Sequence, residues 1–427
     1  MRRLFLAVLL LLGACTTVAD AEPSGDSLDA IAADYVRLTL EIGEREPGYV
    51  DAYYGPAGWA EAARAAPRDV PALMQGAAAL ADRLNAVSVR GADPVVVQRK
   101  AYLLAHVSAA SARLRFIRGE RLPFAEEAFA LFGVRPELKP LSDYDAALDQ
   151  IDAMLPGDGP LVERVAAFKS AFIIPRDRLE PVMTAAIAEC RRRTAEHIAL
   201  PANERFTLAF VTDKPWSGYN YFQGDAASRI EINTDFPIYT ERAIDLGCHE
   251  GYPGHHVYNA LLERTFVRER GWVEMSVYPL FSPMSFVAEG SANYGIDLAF
   301  PGDEGARFEQ QVLAPLAGIT GADFARKARL QALTRQLARA EYTIADDFLA
   351  GRVNREETIA RLARYTLTTP DKAAQRLRFI ETYRSYIINY GLGRDTVEAW
   401  VEAQGADHWR GMETLLASQI LPVDLSN

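Results

Sequence analysis

Cysteine is scarce in this chain, with three residues in 427, at positions 15, 190 and 248. That excludes the dense disulfide framework that holds small secreted domains together. Cys248, although next to His249, reads as a small buried packing residue, the usual fate of a free cysteine. Positive charge is also short: 46 lysines and arginines face 57 aspartates and glutamates, for a formal charge of -11. Affinity for nucleic acid comes largely from cations that displace counterions from phosphates, so no nucleic-acid partner is expected. The one basic run, "CRRRTAEH" at 190–197, reads as the solvated face of a helix. Long apolar runs are missing too. Beyond the N-terminus nothing approaches the roughly 18 uninterrupted apolar residues of a membrane span.

What is present describes a chain that folds. Hydrophobic residues make up 49% and charged residues 24%, far from the composition of disorder. A chain of this length exceeds the size at which one hydrophobic core stops growing, so one large or two fused cores are expected. Residues 1–15, "MRRLFLAVLLLLGAC", carry two arginines, an apolar stretch from Leu4 to Leu12 and then small residues. This is the pattern of a secretory signal, too short to span a bilayer. Leu12-Gly13-Ala14-Cys15 resembles a bacterial lipobox, which makes Cys15 the expected lipid-anchored first residue of an exported cell-envelope protein, on the periplasmic face of the outer membrane in a Gram-negative cell. The alternative is ordinary cleavage after Ala19 or Ala21. The small, polar "TTVADAEPSGDS" suits a flexible tether, and the anchor is the only membrane contact expected.

The rest divides by texture. Signal and tether occupy 1–22. From 23 to 200 the pattern is helical almost throughout, with apolar residues three and four apart in "SLDAIAADYVRLTLEIGERE" and "DPVVVQRKAYLLAHVSAASARLRFIRG". His106 and His197 fall in such stretches and read as packing or surface residues. Region 201–427 opens differently: "RFTLAFV" (205–211), "YNYFQG" (219–224) and "SRIEINTD" (228–235) alternate apolar and polar residues and predict three short strands of a small antiparallel sheet. Helical spacing returns after Pro237 and, apart from an irregular "SVYPLFSPMS" (276–285), continues to the end. The expected fold is mainly helical, a shell around one small sheet that immediately precedes "LGCHEGYPGHHVYNALLERTF" (246–266).

That stretch holds three of the six histidines, His249, His255 and His256, beside Glu250. In the zinc-hydrolase helix HExxH the histidines are four apart, which on a helix puts them about 40° and about 6 Å from each other, close enough to share an ion. Here position 253 is proline. On an unbroken helix His255 would point about 120° away from His249, while His256 would face correctly but lie about 10 Å along the axis, out of reach of two bonds of about 2 Å. Pro253 removes the difficulty, because it cannot donate to the carbonyl of His249 and pushes Tyr252 out of the helical region. Gly254 can then adopt a conformation closed to other residues, and a new helical turn starts near His249. Counting two looped-out residues favours His255 as the second ligand, with His256 open as the alternative and the other partner available to orient a ligand. A catalytic zinc takes three protein ligands, and Glu289 in "SFVAEGSANYGIDLAF" (285–300) is the candidate third. Asn293, one turn later, is placed to hydrogen-bond a ligand imidazole.

"HEGYPGHH" followed by "FVAEGSANYG" resembles the HExxPGHH and EGWALY signatures of the bacterial domain-of-unknown-function 885 family, whose members are regarded as lipoproteins and as zinc peptidases related to the thermolysin-like gluzincins. "ETYRSYIINYGLG" (381–393) is similar to that family's PGQALSYKIG segment and aligns Tyr390 with its tyrosine. The resemblance spans about 200–395. Ser291 and Asn293 replace the family's tryptophan and leucine, and Ile296 stands where it often has a second acid. The resemblance implies a gluzincin-like fold and one Zn2+ per chain on His249, one or both of His255 and His256, and Glu289. It also implies Glu250 as the general base and a peptide as substrate. Tyr390, with Tyr386 and Tyr383 after it, is the candidate for stabilising the oxyanion, and "SRIEINTD" is a candidate edge for pairing with extended substrate. Two other functions stay open: a metal-containing envelope lipoprotein that binds a ligand without catalysis, and a zinc hydrolase of other amides or esters.

Overall fold

The computed structural model describes residues 27–426; the leader and Cys15 lie outside the described residues. Helix α1 (Leu28–Arg45) leads into a short strand β1 (Val50–Tyr53). Helices α2 (Ala57–Ala65), α3 (Val70–Ala86), α4 (Pro94–Ile117) and α5 (Phe124–Phe132) follow, then α6 (Asp145–Met154), α7 (Leu161–Ser170) and α8 (Leu179–Ala195). Their starts are written locally. Asp69 and Asp93 accept hydrogen bonds from Ala72 and Val95 at 2.9 Å, and proline occupies the first turns of α3 and α4, where its missing N–H costs nothing. Helix α1 buries Ile31, Tyr35, Leu38 and Ile42 along one stripe, the amphipathic pattern of a core-facing helix.

Three strands then form as expected: β2 (Arg205–Val211), β3 (Gly218–Gly224) and β4 (Ala227–Asn233). β3 and β4 make an antiparallel hairpin, with Asn220 opposite Ile230; β2 adds to the other side of β4 in parallel, with Leu208 opposite Ile230. The order β2-β4-β3 puts β4 in the middle. Both its edges are therefore occupied, and pairing of substrate along "SRIEINTD" is corrected by this topology; the outer strand beside the site is β3. The hairpin turns on Asp225 and Ala226, both at positive φ, a conformation that normally calls for Asn or Gly. The Glu263 carboxylate accepts from both of their amides, at 2.9 and 3.0 Å, and holds the turn.

Helices α9 (Thr240–Leu246) and α10 (His255–Leu262) follow the sheet. Strand β5 (Val277–Pro279), in the stretch read as irregular, pairs antiparallel with β1, so β1 interrupts a region read as helical almost throughout. Helix α11 (Pro283–Ala299) precedes the short α12 (Glu304–Phe308) and α13 (Ala314–Ala317). The chain ends through α14 (Phe324–Leu337), α15 (Ala340–Leu349), α16 (Arg355–Thr366), α17 (Pro370–Tyr383), α18 (Ile388–Ala403) and α19 (His408–Leu416). The fold is thus mainly helical, with a three-stranded sheet and a two-stranded one, and one continuous buried cluster runs from Ile31 to Leu425. Among the described residues no helix is long and apolar enough to cross a membrane.

Two contacts set up the site. α11 and α18 approach closely where Gly290 faces Gly393; a Cβ on Gly290 would lie 2.6 Å from the Gly393 carbonyl. This brings the tyrosines that precede and begin α18 against Glu289. Cys190 of α8 and Cys248 form a disulfide, with Cα atoms 5.4 Å apart. Cys248 is therefore not a free packing residue. The two cysteines lie 58 residues apart in the chain, a separation that says nothing about their proximity in space. The arginines of the basic run do form an exposed ion-paired surface, Arg192 with Glu189 and Glu196 and Arg191 with Glu204. His106 is buried and stacked on Tyr102, and His197 stacks on Trp409.

Candidate metal centre

The interruption predicted at Pro253 is present. After α9 the chain widens over residues 247–251: the Tyr252 N–H donates to the Gly247 carbonyl at 3.2 Å and the Gly254 N–H to that of Cys248 at 3.0 Å. Tyr252 is extended, at φ -130° and ψ 117°, and its bond to Pro253 is cis. α10 restarts at His255, its first turn closed by the Tyr258 N–H donating to Gly254. Gly254 sits at φ -73° and ψ -139°, outside the helical and extended regions that other residues adopt, as expected, and a Cβ there would also lie 1.9 Å from the His249 carbonyl oxygen. The fold needs its lack of a side chain, because two backbone segments touch at that point.

This corner brings His249 and His255 together. Their Nε2 atoms are 3.1 Å apart, Glu289 Oε2 is 3.2 Å from His249 Nε2, and Glu289 Oε1 is 3.7 Å from His255 Nε2. One ligand atom from each of the three lies within 4.8 Å of the others. His256 is not in this cluster, which corrects its candidacy as a ligand. Adjacent residues on a helix point about 100° apart, and the His256 ring faces the sheet. Its Nδ1 bonds the Ser228 hydroxyl at 2.8 Å and its Nε2 the Glu204 carboxylate at 3.1 Å. Asn293 also departs from expectation, since its amide donates to the Glu289 backbone carbonyl at 2.9 Å and not to an imidazole.

The residues present fit a cation. A tetrahedral zinc with bonds of about 2.0–2.1 Å separates neighbouring ligand atoms by about 3.3 Å, close to the two distances that His249 Nε2 makes to His255 and Glu289. Two imidazole nitrogens and a carboxylate are the donor set that zinc takes. Glu289 Oε1 accepts from the Tyr386 hydroxyl at 2.7 Å, while Oε2 is buried with no hydrogen-bond partner, an unsatisfied acceptor aimed at the cluster. The electrostatics agree. Burial opposes a charged His255, yet Glu289, Glu250 and Asp51 together outweigh it and raise its pKa to about 9. The pocket, in other words, draws positive charge.

The remaining candidates surround the same cavity of about 360 Å³, which Glu250, Tyr383, Tyr386 and Tyr390 all line. Glu250 is buried, and burial raises its pKa against the opposing influence of His249 and His255; its backbone carbonyl accepts from Asn220 of β3 at 2.6 Å. Tyr390 is half-buried, its ring 6.3 Å from that of His249. Sequence reasoning missed Asp51, which lines the cavity from β1 and accepts a hydrogen bond from Tyr219. Burial, with Glu289 and Glu250 nearby, raises its pKa to about 7 against the pull of His255. Its one mark in the sequence is an acid within the aromatic alternation "YVDAYYG". Glu204 and Ser228 were missed as well, since nothing in sequence tells which acid meets which histidine.

No protein-family model matches the chain, and no curated protein does. Among solved structures, the chain is similar to a protein from Colwellia psychrerythraea named as a candidate lipoprotein. The TM-score is 0.52 at 16% identity, over 83% of this chain and 68% of that one. A likeness at that identity shows a shared fold. An M32 carboxypeptidase from Deinococcus radiodurans R1 aligns over 91% of this chain and 87% of its own, at 13% identity and a TM-score of 0.36. The second likeness is too loose to bear on function.

Proposed function

We propose that the protein is a zinc-dependent peptidase, exported and anchored at Cys15, in which His249, His255 and Glu289 hold the ion, Glu250 is the general base and Tyr390 stabilises the oxyanion. One observation carries the reading: two imidazoles and a carboxylate with an unsatisfied oxygen converge on the cavity that Glu250 also lines. Zinc, when bound, supplies Lewis acidity that polarises a carbonyl and lowers the pKa of water to about 7.

The chain's own groups account for the rest. Glu250 follows a ligand directly in sequence and is buried, and a carboxylate whose proton affinity is raised by burial is a better base at neutral pH than a solvated one. It takes the proton from the attacking water and returns it to the leaving amine. Asn220 holds the Glu250 backbone from β3, which fixes the base relative to the strand that borders the cavity. The Tyr390 hydroxyl is uncharged at neutral pH, its pKa pushed well above the ordinary value by burial and then by Glu289, and it donates a hydrogen bond to the developing oxyanion. Tyr386 is already engaged with Glu289 and acts on the ligand.

The test is Glu250→Gln. We expect peptide hydrolysis to fall at least about 100-fold, the lower range for loss of a general base, while elemental analysis still finds stoichiometric zinc. His249→Ala should lose both. Full turnover in E250Q, or undiminished metal in H249A, overturns the assignment.

A further inference from the structure

The cavity has a second chemical character. Arg242 of α9 and Lys372, Gln375 and Arg376 of α17 line it together with Glu250 and Glu289. In a chain of formal charge -11, three cations on one cavity wall run against the composition.

Their partners decide which is free to act. Arg376 is committed to Glu341, with one contact at 2.7 Å. Arg242 meets Asp245 at 3.1 Å, one helical turn away and partly exposed, a pairing of little strength. Lys372 has no carboxylate in contact among the described residues. Its ammonium donates to Gln375 Oε1 at 2.5 Å and lies 4.4 Å from the centre of the Phe236 ring. Gln375 is buried and its amide nitrogen donates to the Lys214 carbonyl at 3.3 Å, which fixes its oxygen on the lysine. Burial, then Arg242 and Arg376, lower the pKa of Lys372 to about 8; Asp235 is the acid that opposes them. A built, half-buried cation with no carboxylate in contact has one natural complement, an anionic group on the ligand.

We propose that Lys372, supported by Arg242, receives the free C-terminal carboxylate of a short peptide whose scissile bond lies against the metal cluster. The inference rests on the peptidase reading above and names its substrate class: short peptides with an unblocked C-terminus. Two further observations favour it. A cavity of about 360 Å³ falls at the small end of ligand pockets, which run from about 300 to 1,000 Å³, and suits the end of a peptide better than the middle of a long one. The charge of Arg242 also acts on Glu250, so the cationic wall lies within electrostatic range of the base.

The experiment uses a tripeptide library made twice, as free acids and as C-terminal amides. The zinc-loaded protein should cleave the acids with kcat/KM at least about tenfold higher, mostly through KM, the effect of one charge-assisted contact. Lys372→Met should remove that preference, and Lys372→Arg, which keeps the charge, should restore most of it. Equal cleavage of acids and amides by the native protein, or a preference that survives K372M, overturns the subsite and leaves the peptidase reading intact. A preference that follows Asp or Glu side chains in the amidated set overturns it too. If the native protein cleaves neither set, the peptidase reading fails and the subsite is decided by calorimetry. Binding of the acids to zinc-loaded E250Q, lost in E250Q/K372M, upholds it; equal binding of acids and amides refutes it.

Discussion

Removing a single hydroxyl from Tyr386 tests whether Glu289 is held for a cation. The Tyr386 hydroxyl donates to Glu289 Oε1 at 2.7 Å; the other neighbour of that oxygen is His255 Nε2 at 3.7 Å, beyond hydrogen-bond length. Both side chains are buried. The hydrogen bond therefore occupies Oε1 and turns Oε2 toward His249, the arrangement a single metal-ligand bond requires. In Tyr386→Phe the buried Oε1 loses its donor. A hydrogen bond to a charged group is worth about 1.5–3 kcal/mol, and at about 1.4 kcal/mol per tenfold this corresponds to roughly 10- to 100-fold. Loss of a partner behind a metal ligand typically costs the same factor in metal affinity. We expect the zinc Kd of Y386F, measured by competition with a chromophoric chelator, to rise by roughly 10- to 100-fold, with kcat at saturating zinc within a few fold of native. An unchanged Kd refutes the reasoning. An unchanged Kd with a large fall in kcat would assign this hydroxyl, and not that of Tyr390, to the substrate.

Two further outcomes concern the scaffold. The disulfide between Cys190 and Cys248 closes a separation of 58 residues, for which loop-closure entropy gives about 4 kcal/mol; C190A/C248A should lose up to that much in guanidinium unfolding, and a loss below about 1 kcal/mol refutes the estimate. His106 is buried, and burial lowers its pKa from 6.5 to about 4 against the Tyr102 carbonyl that favours its charged form. Between those values the unfolded chain binds the proton that the folded one refuses, so stability is complete above about pH 6.5 and falls as pH drops through about 4. The full shift corresponds to about 3 kcal/mol. His106→Gln should lack that part of the acid limb in denaturation measured from pH 7 to 4, and an identical limb in both proteins excludes His106 as its source.

The helical periods, the three strands within a residue or two of their limits and the break at Pro253 were all legible in the sequence. Each depends on local chemistry: apolar spacing, β-branched alternation, and the missing N–H of a proline. What was not legible depends on contacts distant in the chain. β1 and β5 are three or four residues long and pair across more than 200 positions, from Val50 to Pro279, too short to leave a period of their own. Asp51 enters the cavity only through that pairing. The parallel placement of β2 beside β4 follows from how the chain crosses after Val211, which alternation alone does not encode. The need for glycine at 254 was legible from the Pro-Gly break, but the close approach of its backbone to that of His249, which also excludes a side chain, was not.

The His-His pair shows how one local irregularity serves two ends. Two adjacent residues on a helix diverge by about 100°, so once the Tyr-Pro-Gly corner delivers His255 beside His249, His256 must face elsewhere. It faces β4 and the residue before β2, bonding Ser228 and Glu204 while Tyr252 also donates to Glu204. Arg191 of α8 pairs with the same carboxylate, and three of its partners lower the pKa of Glu204 to about 2 although burial raises it. A carboxylate so firmly ionised, packed against the corner from the sheet side, ties the position of the helix break to the sheet. The strand that borders the cavity and the turn that carries His249 are then parts of one hydrogen-bonded unit. The two histidines are not redundant ligands: one belongs to the cluster and the other holds the corner that forms it.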